Sequence, residues 1–218
     1  MRNLRIIAIT ALFCFVSATG YSQRKKNTTK NSMDYRVIIA HAYPADSSTA
    51  WYPYIADNLK KQNCEVLIPN FPEPDLKGWQ NVLKPLADKS PEKTILIGHS
   101  IGCVNILRYL ESAGNTKKFP LVILVAPPAF NLGYEQLNSF FATPFDFNTI
   151  KSRAEKIVVI MTMQDRVLAP DPMKHGQIFL ENVKAKLVIL PEGGHFAPFD
   201  NVTSLPEVLE EIRSALTQ

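Results

Sequence analysis

Motifs for metal binding are missing from this chain of 218 residues. It has three cysteines and four histidines, and none of them forms a CxxC, HExxH or His-rich pattern, so no metal site is predicted. Long hydrophobic runs are missing as well. The apolar stretch Ile6 to Val16 is shorter than the roughly 20 residues that a transmembrane helix needs, which argues against a membrane-spanning protein.

Charge of one sign is not concentrated in the sequence. The formal net charge is +4, and the basic residues form no stripe interleaved with aromatic residues. This absence excludes the electrostatic pattern of a nucleic-acid-binding protein, and no nucleic-acid partner is predicted. The densest basic cluster, Arg24 to Lys26 with Lys30, lies in a polar tail and is interpreted as a solvated linker.

The N-terminal segment has the features of a secretory signal peptide. Arg2 and Arg5 precede the apolar stretch, and small residues follow at Ala18 to Gly20. We predict a signal peptide over residues 1–20, a polar leader over 21–33 and one domain over 34–218, with 46% hydrophobic residues overall. The predicted location is secreted or periplasmic, without a stable membrane span after cleavage. A membrane tether through an uncleaved N-terminus is the alternative.

Removal of the signal peptide leaves two cysteines, Cys64 and Cys103. Both lie in apolar stretches of predicted secondary structure, which favours two buried free thiols that behave as small hydrophobic side chains. A disulfide between them is the alternative in an oxidising compartment.

Short apolar runs alternate with helix-like stretches along the rest of the chain. The predicted strands are Arg36 to Ala40, Cys64 to Pro69, Thr94 to Gly98, Leu121 to Ala126, Lys156 to Met163 and Lys186 to Leu190. The predicted helices are Tyr52 to Gln62, Leu76 to Asp88, Ile101 to Ser112, Met173 to Val183 and Leu205 to Leu216. Continuous apolar runs are typical of strands buried on both faces. The order predicts an α/β fold, a three-layer α/β/α sandwich around a mostly parallel six-stranded sheet.

Ligands of such sheets bind at the carboxyl ends of the strands, so polar residues just after the strands are candidate site residues. Ser100 follows the third predicted strand within Gly98-x-Ser100-x-Gly102 and precedes a helix. This is the pattern of a nucleophile elbow, in which the flanking glycines let the strand and the helix pack closely. A helix N-cap is the structural alternative for this serine.

A serine hydroxyl needs a base and an orienting acid to become a nucleophile. His195 lies in a glycine-containing loop after the sixth predicted strand, and Asp165 follows the fifth. The order Ser, Asp, His is that of α/β-hydrolases. Among the alternatives, His175 is predicted to face solvent on a helix, and Asp171 is predicted to start one.

Two further parts of an active site are predicted around the triad. Backbone amides of Ile101 and of either Tyr43 or Ala42 are the candidate oxyanion donors. An aromatic segment from Phe130 to Phe147 lines an apolar acyl pocket, or else packs against the sheet. The pocket residues considered are His41, His99, Trp51, Phe140, Phe141 and Phe196.

At these motifs the chain resembles the small, lidless α/β-hydrolases of the retinoblastoma-binding protein 9/YdeN group. The resemblance covers nearly everything from Arg36 onward and is carried by "IIAHAYPADSSTAWYPYIADNL", "IPNFPEPDLKGWQNVL", "ILIGHSIGCVNILRYL", "QDRVLAP", "GGHFAP" and "LPEVLEEI". It implies that Ser100, Asp165 and His195 are nucleophile, acid and base, without cofactor or metal. Ala42 stands where the group usually has glycine, and the predicted secretory leader departs from a group mostly found inside cells.

The predicted function is hydrolysis of small-molecule acyl esters through an acyl-enzyme. Two alternatives stay open at this point. A catalytically silent hydrolase fold would serve as a binding protein, since fold does not fix function. An acyltransferase or a peptidase would use the same three residues.

Overall fold

Six parallel strands form one sheet in the computed structural model, which describes residues 34–114 and 117–216. The strands are β1 (Arg36–Ala40), β2 (Glu65–Leu67), β3 (Thr94–His99), β4 (Leu121–Val125), β5 (Ile157–Thr162) and β6 (Lys186–Leu190). Their order in the sheet is β2-β1-β3-β4-β5-β6. The order reverses beside β1, so that the carboxyl ends of β1 and β3 lie next to each other at the centre of the sheet, where ligands of such folds bind.

Within the described residues, six α-helices cover the two faces of the sheet. They are α1 (Tyr52–Lys60), α2 (Leu76–Ala87), α3 (Ile101–Ser112), α4 (Phe147–Ser152), α5 (Pro172–Val183) and α6 (Pro206–Leu216). Short 3-10 segments lie at Pro91–Lys93, Glu135–Phe141 and Pro198–Asp200. Within the described ranges, no helix is both long enough and apolar enough to span a bilayer.

Alternate residues of the central strands belong to two separate core clusters. Val37 and Ile39 of β1 pack with α1 and α6 on one face, whereas Ile38 and Ala40 pack on the face that α2 to α5 cover. Because side chains of a strand point alternately to its two faces, the continuous apolar runs serve both clusters. The predicted three-layer sandwich is therefore confirmed, with every strand parallel.

Element boundaries differ from the prediction mainly at the sheet edge. The predicted strand Cys64 to Pro69 shrinks to Glu65–Leu67, which pairs only with Arg36 to Ile38 of β1. An edge strand has a single neighbour, so its length is set by the residues that pair with that neighbour and not by β propensity alone. The predicted signal peptide and polar leader lie outside the described residues and stay predictions.

Cys64 and Cys103 are free thiols on opposite faces of the sheet, since each belongs to a different core cluster. The Cys64 Sγ donates to the Tyr35 carbonyl and the Cys103 Sγ to the Val125 carbonyl. Burial raises the pKa of Cys64 to about 11 and raises that of Cys103 as well. Both therefore act as small apolar side chains, as predicted.

Candidate active site

The turn between β3 and α3 is sharp and strained at Ser100, which has φ 53° and ψ −122°. Two close backbone approaches hold it. A Cβ on Gly98 would lie 2.6 Å from the Cys103 Cα, and a Cβ on Gly102 would lie 2.1 Å from the Ala40 carbonyl oxygen. Both glycines are thus needed for α3 to start against β1 and β3, and the turn projects the serine from the end of the sheet.

The structure brings Ser100, His195 and Asp165 together in one hydrogen-bonded line, although 95 residues separate the serine and the histidine. His195 Nε2 lies 2.8 Å from Ser100 Oγ, and His195 Nδ1 lies 2.7 Å from Asp165 Oδ2. A carboxylate oxygen accepts, so Nδ1 carries the proton and Nε2 is free to accept from the serine hydroxyl. Asp165 and His195 are buried, at 2% and 4% exposure.

Backbone amides hold the Asp165 carboxylate from its other side. Its Oδ1 accepts from the amides of Val167 and Leu168, at 2.9 and 3.1 Å, and this leaves Oδ2 for His195. The rival carboxylate Asp171 caps α5 instead, where its side chain accepts from the Lys174 amide. The helix start predicted for Asp171 is confirmed.

Three contacts anchor the loop that carries His195. Asp200 Oδ2 accepts from the amides of His195 and Ala197, and Thr162 Oγ1 donates to the Gly194 carbonyl at 2.8 Å. Gly193 and Gly194 have φ values of +119° and +55°, conformations that glycine adopts without strain. Asp200 lies five residues after His195 in the sequence. Its side chain fixes the backbone of the loop at His195.

Hydrogen bonds in the loop after β1 determine which backbone amides there could donate to a ligand near Ser100. The Ala42 amide donates to the buried Tyr52 hydroxyl at 3.0 Å, so it is already engaged. His41 Nδ1 donates to the Ala42 carbonyl at 2.7 Å. In a trans peptide the carbonyl and the next N–H point in opposite directions, so this bond turns the Tyr43 amide away from His41. Of the two predicted donors in this loop, Tyr43 is the one that remains.

A cavity of about 380 Å³ opens beside Ser100 and His195. Tyr43 and Ile101 line it next to the serine, and Leu132, Tyr134, Leu137 and Phe141 supply an apolar wall. None of the described residues lining it is Asp, Glu, Lys or Arg, and its polar side chains besides Ser100, His195 and the tyrosines are Asn131 and Gln136. Such a site favours an apolar, uncharged group.

Most of the aromatic and histidine residues considered for the pocket lie behind it. Trp51, Phe140 and Phe196 are fully or almost fully buried and pack in the core clusters. His41 packs against Phe71 and Trp79, and His99 against Trp51 and Tyr52. Only Phe141 of these candidates lines the cavity. The large side chains that follow the strands pack between the sheet and the helices and do not extend to the cavity. The prediction that they line the pocket is therefore wrong for all of these candidates except Phe141.

His175 is buried, and the prediction that it faces solvent is wrong. It lies on the face of α5 that meets the sheet, and its Nδ1 accepts from the Ala129 amide at 2.9 Å. Its ring stacks on Phe130 with centroids 4.1 Å apart. Burial lowers its pKa. A polar side chain on an amphipathic helix gives no local sign of such a backbone partner.

A parallel sheet with a strained serine between strand and helix, hydrogen-bonded to a histidine, defines an α/β-hydrolase with a serine at its centre. The chain belongs to the serine hydrolase family, whose model matches residues 37–214. It is similar to YdeN of Bacillus subtilis (strain 168), with 31% identity over 186 residues covering 84% of this chain and 96% of YdeN. It is also similar to the serine hydrolase RBBP9 of Rattus norvegicus, with 28% identity covering 77% of this chain and 87% of RBBP9.

Solved structures show the same fold. The crystal structure of the ydeN gene product from B. subtilis matches with a TM-score of 0.79 and 29% identity, and covers 84% of this chain and 100% of that one. The Pyrococcus furiosus esterase Pf2001 matches with a TM-score of 0.60 at 17% identity, covering 86% of this chain and 83% of that one. The similarity to Pf2001 is one of fold alone.

Proposed function

We propose that this chain is a carboxylesterase-like serine hydrolase that cleaves esters of small, uncharged acyl groups through an acyl-enzyme on Ser100. The observation that carries the proposal is the continuous line from Ser100 Oγ through His195 to Asp165, with both hydrogen bonds below 3 Å, at the edge of an apolar cavity. Membership of the serine hydrolase family supports it.

In the proposed reaction each group of the triad has one task. His195 Nε2 takes the proton as Ser100 Oγ attacks the acyl carbon, and the leaving alcohol receives that proton when the ester bond breaks. Asp165 accepts from Nδ1, holds the imidazole in the tautomer that can accept at Nε2, and stabilises the imidazolium. Water then enters and gives a proton to His195 as its oxygen attacks the acyl carbon. The bond from that carbon to Ser100 Oγ breaks, His195 returns the proton to Oγ, and the carboxylic acid leaves.

Negative charge on the acyl oxygen needs donors that are already in place before the attack. Ile101, the first residue of α3, and Tyr43 line the same cavity as Ser100. We assign these two amides to the oxyanion site. Preorganised donors of this kind usually contribute the largest single part of the rate enhancement.

The cavity wall defines the acyl group that fits. Phe141 lines the cavity, whereas Phe147, six residues further along the chain, has ring contacts with Phe145 and Phe179 and does not line it. The rings of Phe141 and Phe147 are both half-buried. Phe141→Ala is therefore a change in the pocket, and Phe147→Ala is a matched change outside it.

Phe141→Ala is expected to shift the acyl preference toward longer chains. The ratio of kcat/KM for p-nitrophenyl octanoate to that for the butyrate should rise by about tenfold, since a pocket discriminates by roughly tenfold or more per methylene. Phe147→Ala should leave this ratio within about twofold of the wild type. Stopped-flow release of p-nitrophenol measures both, and a burst marks the acyl-enzyme.

The same panel includes the p-nitrophenyl monoester of succinic acid, whose carboxylate meets no cationic side chain in the described lining. Its turnover is expected to fall well below that of the butyrate in every variant. Equal rates for the two esters, or an unchanged chain-length ratio in Phe141→Ala, would contradict the assignment of this cavity as the acyl pocket.

A further inference from the structure

A chain of buried hydrogen bonds runs behind the candidate site, from the loop after β1 to the loop that carries His195. The Ala42 amide donates to Tyr52 Oη at 3.0 Å, and Tyr52 Oη lies 2.6 Å from His99 Nδ1. His99 Nε2 lies 2.8 Å from the His195 carbonyl oxygen. Tyr52 and His99 are both completely buried.

The groups at the two ends fix the direction of every proton in this chain. The His195 carbonyl can only accept, which places the proton of the neutral His99 ring on Nε2, so Tyr52 Oη, which accepts from the Ala42 amide, donates to His99 Nδ1. Nδ1 then carries no proton, and the proton of the ring lies on Nε2, where it is donated to the His195 carbonyl. A carbonyl can only accept, so the polar atoms of both side chains are satisfied in a single arrangement.

Each end of the chain controls a different part of the candidate machinery. At the first end, the bond to Tyr52 and the His41 bond to the Ala42 carbonyl together hold the peptides on both sides of Ala42. These peptides set the direction of the Tyr43 amide, the assigned oxyanion donor. At the other end, the bond to the His195 carbonyl fixes the backbone from which the base projects.

We propose that Tyr52 and His99 are positioning residues, an uncharged relay that sets the oxyanion amide of the Tyr43 loop and the base His195 relative to each other. This role rests on the proposed function. Neither side chain lines the cavity, so neither is expected to touch the substrate.

The relay has a reason to be uncharged. The ring centroids of His99 and His195 are 5.6 Å apart, and His195 becomes an imidazolium while the acyl oxygen becomes negative. A second cation at His99 would oppose that change. Burial, with His195 and His41 nearby, lowers the pKa of His99 to about 3, and burial raises the pKa of Tyr52. Both groups therefore stay neutral near pH 7.

Tyr52→Phe tests the relay with little change in packing. It removes one hydroxyl and leaves the Ala42 amide and His99 Nδ1 without their partner. We expect kcat for p-nitrophenyl butyrate to fall roughly 10- to 100-fold with KM within about twofold, because loosening an oxyanion donor acts on the transition state. The matched control is Tyr109→Phe, which removes another buried hydroxyl, bonded to Asp88 at 2.7 Å, away from the site.

Two variants of His99 separate the hydrogen bond from the filling of space. The side-chain amide in His99→Gln can still donate to the His195 carbonyl, whereas His99→Leu cannot. We expect kcat of His99→Gln to be at least about tenfold higher than kcat of His99→Leu. Three outcomes with an active wild type would overturn the relay but not the proposed function. They are an unchanged kcat in Tyr52→Phe, an equal loss of kcat in Tyr109→Phe, and equal kcat in the two His99 variants.

Nuclear magnetic resonance of histidine labelled with ¹⁵N gives a readout that does not depend on turnover. His99, assigned by its loss in His99→Gln, is expected to show the Nε2–H tautomer, with no titration between pH 5 and 8 and a changed Nδ1 shift in Tyr52→Phe. A proton on Nδ1, or titration near the usual histidine pKa, would overturn the relay. A wild type inert toward all the esters would instead overturn the proposed function.

Discussion

Ser100→Ala is expected to lower ester turnover by a factor on the order of 10⁴ or more while the protein stays folded. The variant removes the atom that is proposed to attack the acyl carbon and leaves the amides of Ile101 and Tyr43 and the cavity in place. Residual turnover would then come from binding and from the oxyanion amides. Initial rates on p-nitrophenyl butyrate measure the loss, and circular dichroism with thermal unfolding shows whether the fold is retained.

The fold should tolerate this change because the Ser100 side chain makes no capping bond to α3. Among the hydrogen bonds of the described residues, its Oγ takes part in one, with His195. Alanine at φ 53° is no more strained than serine there. Ser112→Ala is the matched control, since its hydroxyl lies at the other end of α3 and donates to the Tyr109 carbonyl. Substantial turnover in Ser100→Ala would show that another group does the chemistry.

Gly102→Ala is expected to destabilise the fold by at least about 3 kcal/mol or to prevent folding. The new Cβ would lie 2.1 Å from the Ala40 carbonyl oxygen and 2.6 Å from that of His41, and both are backbone atoms at the centre of the sheet. Neither can move without displacing β1 or α3. Urea unfolding followed by fluorescence measures the change in the free energy of unfolding.

Gly114→Ala provides the comparison for this substitution. No heavy atom lies within 4 Å of a Cβ built on Gly114, so its stability should stay within about 0.5 kcal/mol of the wild type. If Gly102→Ala were as stable as Gly114→Ala, the close contact between α3 and β1 that forms the elbow would be disproved.

Much of the fold could be predicted because local patterns in the sequence indicate it. β1 and β6 match the predicted bounds, as does α3, since short runs of β-branched residues and a helical pattern are both visible within a few positions. The length of β2 could not be predicted, because an edge strand ends where its partner β1 ceases to pair. That limit depends on the other strand and not on the residues of β2.

The candidate site divides in the same way. Ser100, Asp165 and His195 were identifiable because each follows a strand, and the carboxyl ends of parallel strands meet at one edge. The contacts that support them were not. Tyr52 and His99 are 47 residues apart and look like ordinary core residues in sequence, and their hydrogen bond appears only when β3 and α1 pack together. His175 was misassigned for the same reason, because its partner is the amide of Ala129 in a distant loop.

The most direct test of Ser100 as an activated nucleophile is covalent labelling with a fluorophosphonate, followed by mass spectrometry of the intact chain and of its peptides. A hydroxyl with a hydrogen-bonded imidazole reacts with such a probe, whereas an ordinary serine does not. Folded wild type should gain one adduct, on the peptide that contains Ser100, and Ser100→Ala or unfolded protein should gain none. An unlabelled folded wild type, or an adduct that persists in Ser100→Ala, would contradict the assignment.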